Sequence, residues 1–492
     1  MANEKTNDKT SRRRFIKYVG AGVVVVGVAG AAAYYGTQAP SPPGLTQTAA
    51  STATSSLGPT ETTTFTEPIV IRGIHEWGTP GEIANTNNIE GKFAQEYPQY
   101  KVDISSISSD DMRALTMAAI AGGGTLEIVD LFTGLYIEIA KENVLTDMTD
   151  IINVYKDQWY PSALTSANFE GSGTYYMFPS YVTPGPWVWW RKNVFEELGL
   201  PEPPYEGDDA FDKYLTMLKQ AKDEGTRKYG KPFWGGVLPA GRSLFVSFLF
   251  YSFLWGNNMS AFDSDFNFIL DKEPVKSEAI EILRFMKKCY DLSVPGSSSF
   301  EWFEAIDSFI TGNMASSIYW GRMVGQVDDR APDIAKEMDV AFLPHKKRKN
   351  PMVEVGGYGV LKDAKHAKEA MTFFEWLNRP ENYAYLGLNV PLYSYPCRKD
   401  AVAQPVYLND PLIQKYKHFA EWIPEQGATY GIDFLFEHLV MDPQGNPKPN
   451  TKWADLQGNM WDVDMCQKVL LQNQDPKAAV EWMGEQVRKA GL

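Results

Sequence analysis

Three tryptophans within four consecutive residues are the most prominent group of side chains that could bind a ligand. In the segment YVTPGPWVWWRKN, residues 181–193, Trp187, Trp189 and Trp190 follow a Thr-Pro-Gly-Pro turn. Indole rings can stack against the apolar face of a flat ligand, or they can fill a core. On a strand, Trp187 and Trp189 would share one face and Trp190 would lie on the other. Because large aromatic side chains most often supply packing area, the segment predicts core for all three.

Catalytic and metal-binding motifs do not occur in the sequence. It contains no His-Glu-x-x-His, Gly-x-Ser-x-Gly, Gly-Lys-Ser/Thr or Cys-x-x-Cys motif, and its five histidines lack ligand spacing. Three cysteines argue against a disulfide scaffold. We therefore expect that the protein is not an enzyme and that it binds neither a metal ion nor a cofactor. One alternative stays open, a secreted glycoside hydrolase, which would need two carboxyl groups about 5 to 10 Å apart across a cleft.

The amino-terminal part of the sequence has the features of a targeting segment. SRRRFIK, residues 11–17, precedes an uncharged apolar run and resembles a twin-arginine export signal. Residues 1–36 are therefore predicted to be a signal or a membrane anchor, and whether they are cleaved stays open. Residues 37–68 are rich in Thr, Ser and Pro and predict an extended, solvated linker. This layout places the globular body outside the cell membrane, on its extracellular or periplasmic face.

The body of the chain alternates between strand-like and helix-like segments from residue 69 onward. IVIRGIHEW, YKVDISSI and LEIVDLF look like strands, and helical patterns separate them, which predicts an α/β fold with parallel sheets covered on both faces. Ligands of such sheets bind beyond the carboxyl ends of the strands, where the loops EWGTPGE and FTG lie. The formal net charge of −14 disfavours nucleic acid as a partner.

An ordered series of segments resembles a known family. AAIAGGGTLEIVDL, GSGTYYMFPSYVTPGPWVWWRKNVFEELGLPEPP, SFITGNMASSIYWGR and KHAKEAMTFFEWLNRPEN are similar, in this order, to the extracellular solute-binding proteins of ABC importers, family 1, the carbohydrate-binding group. The sequence departs from the family pattern at Leu126 and Glu127, where Pro-Asp is usual, and at Trp190 and Arg191, where Tyr-Asn is usual.

The resemblance implies a two-lobed Venus flytrap fold with a hinge near residues 184–186. Lobe 1 would comprise residues 69–184 with 338–391, and lobe 2 residues 185–337 with 392–492. The family captures a sugar or oligosaccharide by lobe closure and delivers it to the permease subunits of an ABC transporter. The resemblance therefore implies a monomer that catalyses nothing and is tethered to the membrane through its amino-terminal segment.

The resemblance also implies a set of ligand-binding residues. The first-lobe candidates follow strands or lie near the hinge, whereas Trp320 and Arg322 stand in place of the family's Gly-x-Trp turn. A guanidinium there suggests a charged or phosphate-bearing solute, although a salt bridge is the alternative. For Glu82 an ordinary loop position is the alternative. The implied residues are Trp77, Thr79, Glu82, Phe132, Thr133, Tyr181, Thr183, Trp320, Arg322, Tyr358, Tyr393 and Trp453.

Overall fold

The computed structural model of the chain describes residues 67–122, 124–441, 443, 445 and 447–492. The predicted signal or anchor and nearly all of the predicted linker lie outside the described residues. Val70–Leu492 forms one compact unit. Within the described residues, no helix combines the length and the apolar character that a membrane span requires.

Eight strands form the framework of the described part of the chain, and they are numbered here in chain order. They are β1 (Ile69–His75), β2 (Tyr100–Ser106), β3 (Ile128–Leu131), β4 (Phe178–Gly185), β5 (Trp187–Arg191), β6 (Ser316–Tyr319), β7 (Met338–Ala341) and β8 (Met352–Val360). Five strands form one sheet in the order β2-β1-β3-β8-β4, and three form a second sheet in the order β6-β5-β7. We refer to the larger sheet and its helices as the first lobe and to the smaller sheet and its helices as the second lobe.

Helices connect and cover the strands. The helices that precede β6 are α1 (Pro80–Glu96), α2 (Ser109–Gly122), α3 (Thr133–Ala140), α4 (Thr149–Asn153), α5 (Pro161–Ala167), α6 (Lys192–Leu198), α7 (Ala210–Tyr229), α8 (Leu244–Gly256), α9 (Val275–Asp291) and α10 (Phe303–Ile310). The later helices are α11 (Arg322–Arg330), α12 (Pro332–Ala335), α13 (Ala367–Leu377), α14 (Pro380–Tyr383), α15 (Lys399–Val402), α16 (Pro405–Leu408), α17 (Pro411–Lys415), α18 (Lys417–Tyr430), α19 (Lys452–Asn459), α20 (Trp461–Leu470) and α21 (Pro476–Ala490). Short 3-10 turns occupy Lys156–Gln158, Phe169–Gly171, Ser297–Ser299 and Ala384–Leu388.

The α/β prediction is confirmed, but the expectation of parallel sheets is only partly met. β1 and β3 pair in parallel, as a strand–helix–strand pattern requires. β8 is antiparallel to both β3 and β4. In the second lobe, β5 is antiparallel to both of its neighbours. The difference arises because β8 is reached from the second lobe, so its direction does not depend on a crossover helix.

The chain passes from the larger sheet to the smaller sheet at residues 185–187. β4 ends at Gly185 in the larger sheet, and β5 begins at Trp187 in the smaller sheet. Two other expected boundaries lie later than predicted. β7 pairs with β5, so the return at 338 moves beyond Ala341. Tyr395 pairs with Val182 of β4, so the crossing expected at 392 also moves toward the carboxyl end.

The three tryptophans of β5 are core residues, as predicted. Trp187, Trp189 and Trp190 are all buried, and the indole nitrogens of Trp187 and Trp189 donate to backbone carbonyls. The rings of Trp187 and Trp189 pack against Trp422 and Phe419 of α18, respectively. This helix therefore covers the face of β5 that the two tryptophans share.

Candidate functional site

A cavity of about 680 Å³ is lined by side chains from both lobes. The first-lobe wall includes Glu76, Thr79, Ser106, Phe132, Tyr181 and Glu354. The second-lobe wall includes Glu301, Trp302, Phe303, Glu304, Trp320 and Arg322. Tyr393, on the connection after the last 3-10 turn, also lines the cavity. Its volume suits a small-molecule ligand, and walls from two lobes allow closure around that ligand.

The start of α1 fixes the loop that follows β1. Thr79 is the N-cap residue, and Pro80 occupies the first turn. The Thr79 backbone N–H donates to Glu82 Oε2 at 2.9 Å, while the Glu82 N–H donates to Thr79 Oγ1 at 3.5 Å. This reciprocal capping box satisfies donors that the helix leaves open. It holds the Glu82 carboxylate at the start of the helix with Oε1 outside the capping bonds.

Arg322, at the start of α11, pairs with Glu82 across the two lobes. Its Nη2 lies 3.5 Å from Glu82 Oε1, and both side chains are buried. Burial, the largest single influence, lowers the pKa of Arg322, but Glu82 together with Tyr393, Tyr319 and Glu76 raises it overall. The guanidinium also lies 5.0 Å from the ring centroid of Tyr393 and 5.4 Å from that of Phe303. Its charge is therefore balanced within the protein.

An aromatic cluster stands behind the first-lobe wall. Trp77 is buried and meets Tyr181 edge to face, with ring centroids 5.0 Å apart. Its indole nitrogen donates to the Tyr358 hydroxyl at 3.2 Å, and that hydroxyl lies 3.4 Å from His75 Nδ1. Burial lowers the pKa of His75 to about 3, so the ring is neutral near neutral pH. The cluster supports Tyr181, whose own side chain lines the cavity.

Trp320 forms part of the second-lobe wall, but most of its surface is used in packing. It is 2% exposed and packs against Phe245, Phe248 and Trp302. A Cβ placed on Gly185 would lie 2.4 Å from the Trp320 ring, and Gly185 has φ +151°. Glycine at this position therefore allows the indole to approach the backbone where the chain crosses between lobes.

Carboxyl groups are concentrated on both walls. Asp130, on β3, is buried directly behind the first-lobe wall, where its Oδ2 accepts from the Glu76 backbone N–H at 3.2 Å. Burial, and then the carboxylates of Glu76 and Glu354, raise the pKa of Asp130 well above its ordinary value. On the second lobe, burial and the neighbouring Glu304 raise the pKa of Glu301. The cavity thus has an acidic lining on each side.

The structure brings half of the sequence-predicted residues to the cavity. Thr79, Phe132, Tyr181, Trp320, Arg322 and Tyr393 line it. Trp77, Glu82 and Tyr358 lie behind the wall and contact the lining residues or one another, as described above. Thr133 is the first residue of α3, directly after Phe132.

Two predicted residues are placed differently from the expectation. Trp453 is fully buried among Tyr251, Phe262 and Phe434, so its ring serves a second-lobe core and does not line the cavity. Thr183 is buried in β4 opposite Glu354 and also lies outside the lining. In both cases packing by neighbouring elements covers the side chain.

Sequence reasoning missed much of the second-lobe wall. Glu301, Trp302, Phe303 and Glu304 enclose the cavity at the start of α10. Phe303 remains 43% exposed, so its ring is accessible from the cavity. A usable signal was present, because the segment FEWFE, residues 300–304, places aromatic and acidic residues together at the start of an amphipathic helix. Among the described residues, no group of His, Cys, Asp and Glu could hold a metal ion.

A family model of bacterial extracellular solute-binding proteins matches residues 82–384, more than half of the chain. The chain belongs to this family. No curated protein sequence matches this solute-binding protein significantly. The resemblance inferred from the ordered segments is thereby confirmed.

Solved structures show the same two-lobed fold. The maltose-bound MalE3 of T. maritima has a TM-score of 0.69 and 16% identity, over 86% of this solute-binding protein and 100% of that chain. The GacH receptor of Streptomyces glaucescens, solved unliganded and with acarbose, has a TM-score of 0.67 and 16% identity, over 86% and 98%. UgpB from Mycobacterium tuberculosis, in complex with glycerophosphocholine, has a TM-score of 0.64 and 16% identity, over 86% and 98%.

Proposed function

We propose that this solute-binding protein captures a sugar or short oligosaccharide in the cavity between its lobes and delivers it to the permease of an ABC transporter. The observation that carries the proposal is the composition of the cavity. Aromatic rings and carboxylates face it from both lobes, so a solute bound there contacts both walls at once. Closure of the lobes around the solute would then be the signal that the permease recognises.

The wall chemistry suits a carbohydrate. The C–H face of a pyranose packs on aromatic rings, and the exposed face of Phe303 offers such a surface. Sugar hydroxyls donate to carboxylates such as Glu304 and accept from N–H groups. Trp302 Nε1 and Arg322 Nε are buried donors without a hydrogen-bond partner within the described part of the chain. A sugar hydroxyl can satisfy each of them, which would remove the cost of an unpaired buried donor.

The ligands of similar structures support the same class of solute. The printed descriptions name maltose for MalE3 of T. maritima and acarbose for GacH. Mannotriose is named for another similar structure, CpMnBP1. Glycerophosphocholine, the ligand of UgpB, shows that this fold also accommodates a solute that is not a sugar. The Arg322 charge, which suggested an anionic solute, is balanced by Glu82, so we favour carbohydrate.

The proposal extends to the rest of the chain. Residues 1–36 would export the protein and hold it at the outer face of the membrane, and residues 37–68 would act as the spacer. The globular body would work as a monomer and bind its solute without converting it. Incubation with oligosaccharides should release no reducing sugar, whereas release that depends on a cavity glutamate would establish the glycoside hydrolase alternative.

A melting-temperature screen with mono- and oligosaccharides tests the proposed function. A ligand at 100 times its dissociation constant stabilises the native state by about 2.7 kcal/mol, which is readily measured. The variant Phe303→Ala should lose most of this shift, while Asp307→Asn should retain it, because Asp307 lies on the same helix and is half exposed outside the cavity. A screen in which no carbohydrate raises the melting temperature would contradict the proposal.

A further inference from the structure

One guanidinium stands among the side chains that line the cavity. Among the described lining residues, Arg322 is the only cationic one. Its Nε is buried and has no hydrogen-bond partner within the described part of the chain. A guanidinium without a carboxylate of its own would recognise a carboxylate or a phosphate on the solute, because its N–H groups match the oxygens of these anions. The charge preference of the cavity therefore depends on what already holds this cation.

Aromatic rings hold the guanidinium in one position. Its central carbon lies 5.0 Å from the ring centroid of Tyr393, 5.4 Å from that of Phe303 and 5.6 Å from that of Trp77. Ring faces attract cations, and these three rings come from three separate segments of the chain. The side chain of Arg322 is only 9% exposed. The guanidinium therefore has little freedom to turn toward a different partner.

Glu82 is the acidic partner that this arrangement supplies. Its Oε2 accepts from the Thr79 N–H at 2.9 Å, so the capping box of α1 fixes the carboxylate. Its Oε1 lies 3.5 Å from Arg322 Nη2. Burial lowers the pKa of Arg322 most strongly, and Glu82 is the strongest of the groups that raise it. Glu82 does not line the cavity, so a solute contacts the guanidinium but not the carboxylate.

An anionic solute would compete with Glu82 for the same guanidinium. A second carboxylate at Arg322 would bring two like charges together around one cation, and their repulsion is weakly screened because both protein side chains are buried. A neutral hydroxyl accepts from the Nε–H without this repulsion. The ion pair therefore favours uncharged groups on the solute.

We propose that Glu82 sets the charge that the cavity accepts, because it neutralises Arg322 and so makes the cavity prefer a neutral carbohydrate to a uronic acid of the same shape. The inference rests on the proposed function and adds the residue that decides the charge of the solute. Glu82 acts through Arg322 and does not contact the solute itself. Removing its charge should therefore reverse the preference, since the guanidinium is then free to bind an acid.

Isothermal titration calorimetry at pH 7 with matched neutral and acidic sugars tests this inference. The pairs are glucose and glucuronate, galactose and galacturonate, and α-1,4-linked galactobiose and digalacturonate. The members of each pair differ at carbon 6, where the acid carries a carboxylate that is ionised at this pH. In the pair that binds best, the neutral member should bind at least about tenfold more tightly than the acid. A wild-type protein that binds carbohydrate but prefers no neutral member to its acid would overturn the inference and leave the proposed function intact.

A charge-removing variant separates a role in specificity from a role in structure. Glu82→Gln keeps an amide oxygen that can accept from the Thr79 N–H but leaves Arg322 without its carboxylate. In this variant the acid should gain at least about tenfold relative to its neutral partner, and the gain should shrink as sodium chloride is added. A purely structural role would weaken both members alike, and that result would overturn the inference.

Two further variants keep the test decisive if Glu82→Gln does not fold. Glu82→Asp retains a carboxylate and should retain the neutral preference, so a gain for the acid in this variant would also overturn the inference. Asp307→Asn removes a carboxylate from an ion pair outside the cavity and should leave the ratio of the two affinities unchanged. A gain for the acid in Asp307→Asn would assign the preference to overall charge and overturn the inference. Failure of every carbohydrate, neutral or acidic, to bind the wild type would overturn the proposed function and this inference together.

Discussion

Replacing Glu82 with glutamine should strongly destabilise the protein, because it breaks the ion pair that joins the lobes. The amide oxygen of glutamine can still accept from the Thr79 N–H, so the cap of α1 should survive the change. The charge that faces Arg322 is lost. Since Arg322 is buried, its guanidinium would then be left without the carboxylate that stabilises it.

The size of the effect follows from the geometry of the pair. Arg322 Nη2 and Glu82 Oε1 are 3.5 Å apart, and an effective dielectric constant of about 20 gives an attraction of roughly 5 kcal/mol. Burial of the guanidinium opposes this attraction. Removing one partner of a buried ion pair typically costs about 3–5 kcal/mol, and we expect Glu82→Gln to fall in that range.

Urea unfolding followed by circular dichroism measures the free energy of unfolding for this comparison. Asp307→Asn is the matched control, because it also removes one carboxylate from an ion pair with an arginine, here Arg330. This pair lies in the second lobe, like Arg322, but its side chains are about half exposed, 50% for Asp307 and 43% for Arg330. It should cost no more than about 1 kcal/mol. The double variant with Arg322→Met should recover part of the loss. A loss below about 1 kcal/mol in Glu82→Gln would refute the argument, because it would mean that solvent screens the pair.

Three further predictions concern the cavity, the core and the amino-terminal segment. Phe303→Ala should weaken carbohydrate binding by about 2 kcal/mol without changing the free energy of unfolding. Trp320→Ala should weaken binding and also lower the free energy of unfolding by about 3–5 kcal/mol, because the Trp320 side chain is 2% exposed. Equal changes in binding and in unfolding free energy for both variants, measured by calorimetry and urea unfolding, would contradict this prediction. Burial raises the pKa of Asp462 to about 7 from 3.8, so the folded state keeps a proton that the unfolded state releases. The stabilisation by the proton on Asp462 is therefore complete below about pH 4 and is lost as the pH rises through about 7. Between these pH values the free energy of unfolding should fall by up to about 1.4 kcal/mol per pH unit. Measurements of the free energy of unfolding over this range should show that Asp462→Asn removes the slope. Replacing Arg12 and Arg13 with lysine should leave the protein in the cytoplasm on cell fractionation, and unchanged delivery would contradict the twin-arginine prediction.

Local patterns in the sequence predicted the elements of the first lobe well. β1, β2 and β3 follow from strand-like runs of residues, whereas the start of α1 at Pro80 was not predicted, because residues 79–82 were expected to lie in a loop. The burial of Trp187 and Trp189 followed from residue type, and their alternation on one strand predicted that they share a face. Such features depend on neighbouring residues only, so the sequence contains the information needed.

Features that depend on contacts between distant segments could not be predicted in the same way. The antiparallel direction of β8 is set by the pairing of Val129 with Gly359, which are 230 positions apart in sequence. The later lobe boundaries have the same origin, since Tyr395 pairs with Val182. No periodicity in the sequence shows these pairings.

The candidate site shows the same division. The loops after β1 and β3 were predicted because loops after parallel strands meet at one edge of a sheet, and the family resemblance implied Thr79 and Phe132 within them. Phe303 was missed because it reaches the cavity at the start of a helix, through packing of the second lobe. Trp453 has the residue type of a stacking ring, but the helices around it bury that ring in the core. Residue type alone does not distinguish these environments.

Hydrogen–deuterium exchange with and without a saturating carbohydrate, the one that raises the melting temperature most, tests the central claim most directly. We predict that the carbohydrate slows exchange in residues 76–79, 106–108, 301–304 and 319–322 together, because these segments line one cavity from both lobes. Protection confined to one lobe, or located in segments that do not line the cavity, would contradict the account of a solute captured between the lobes.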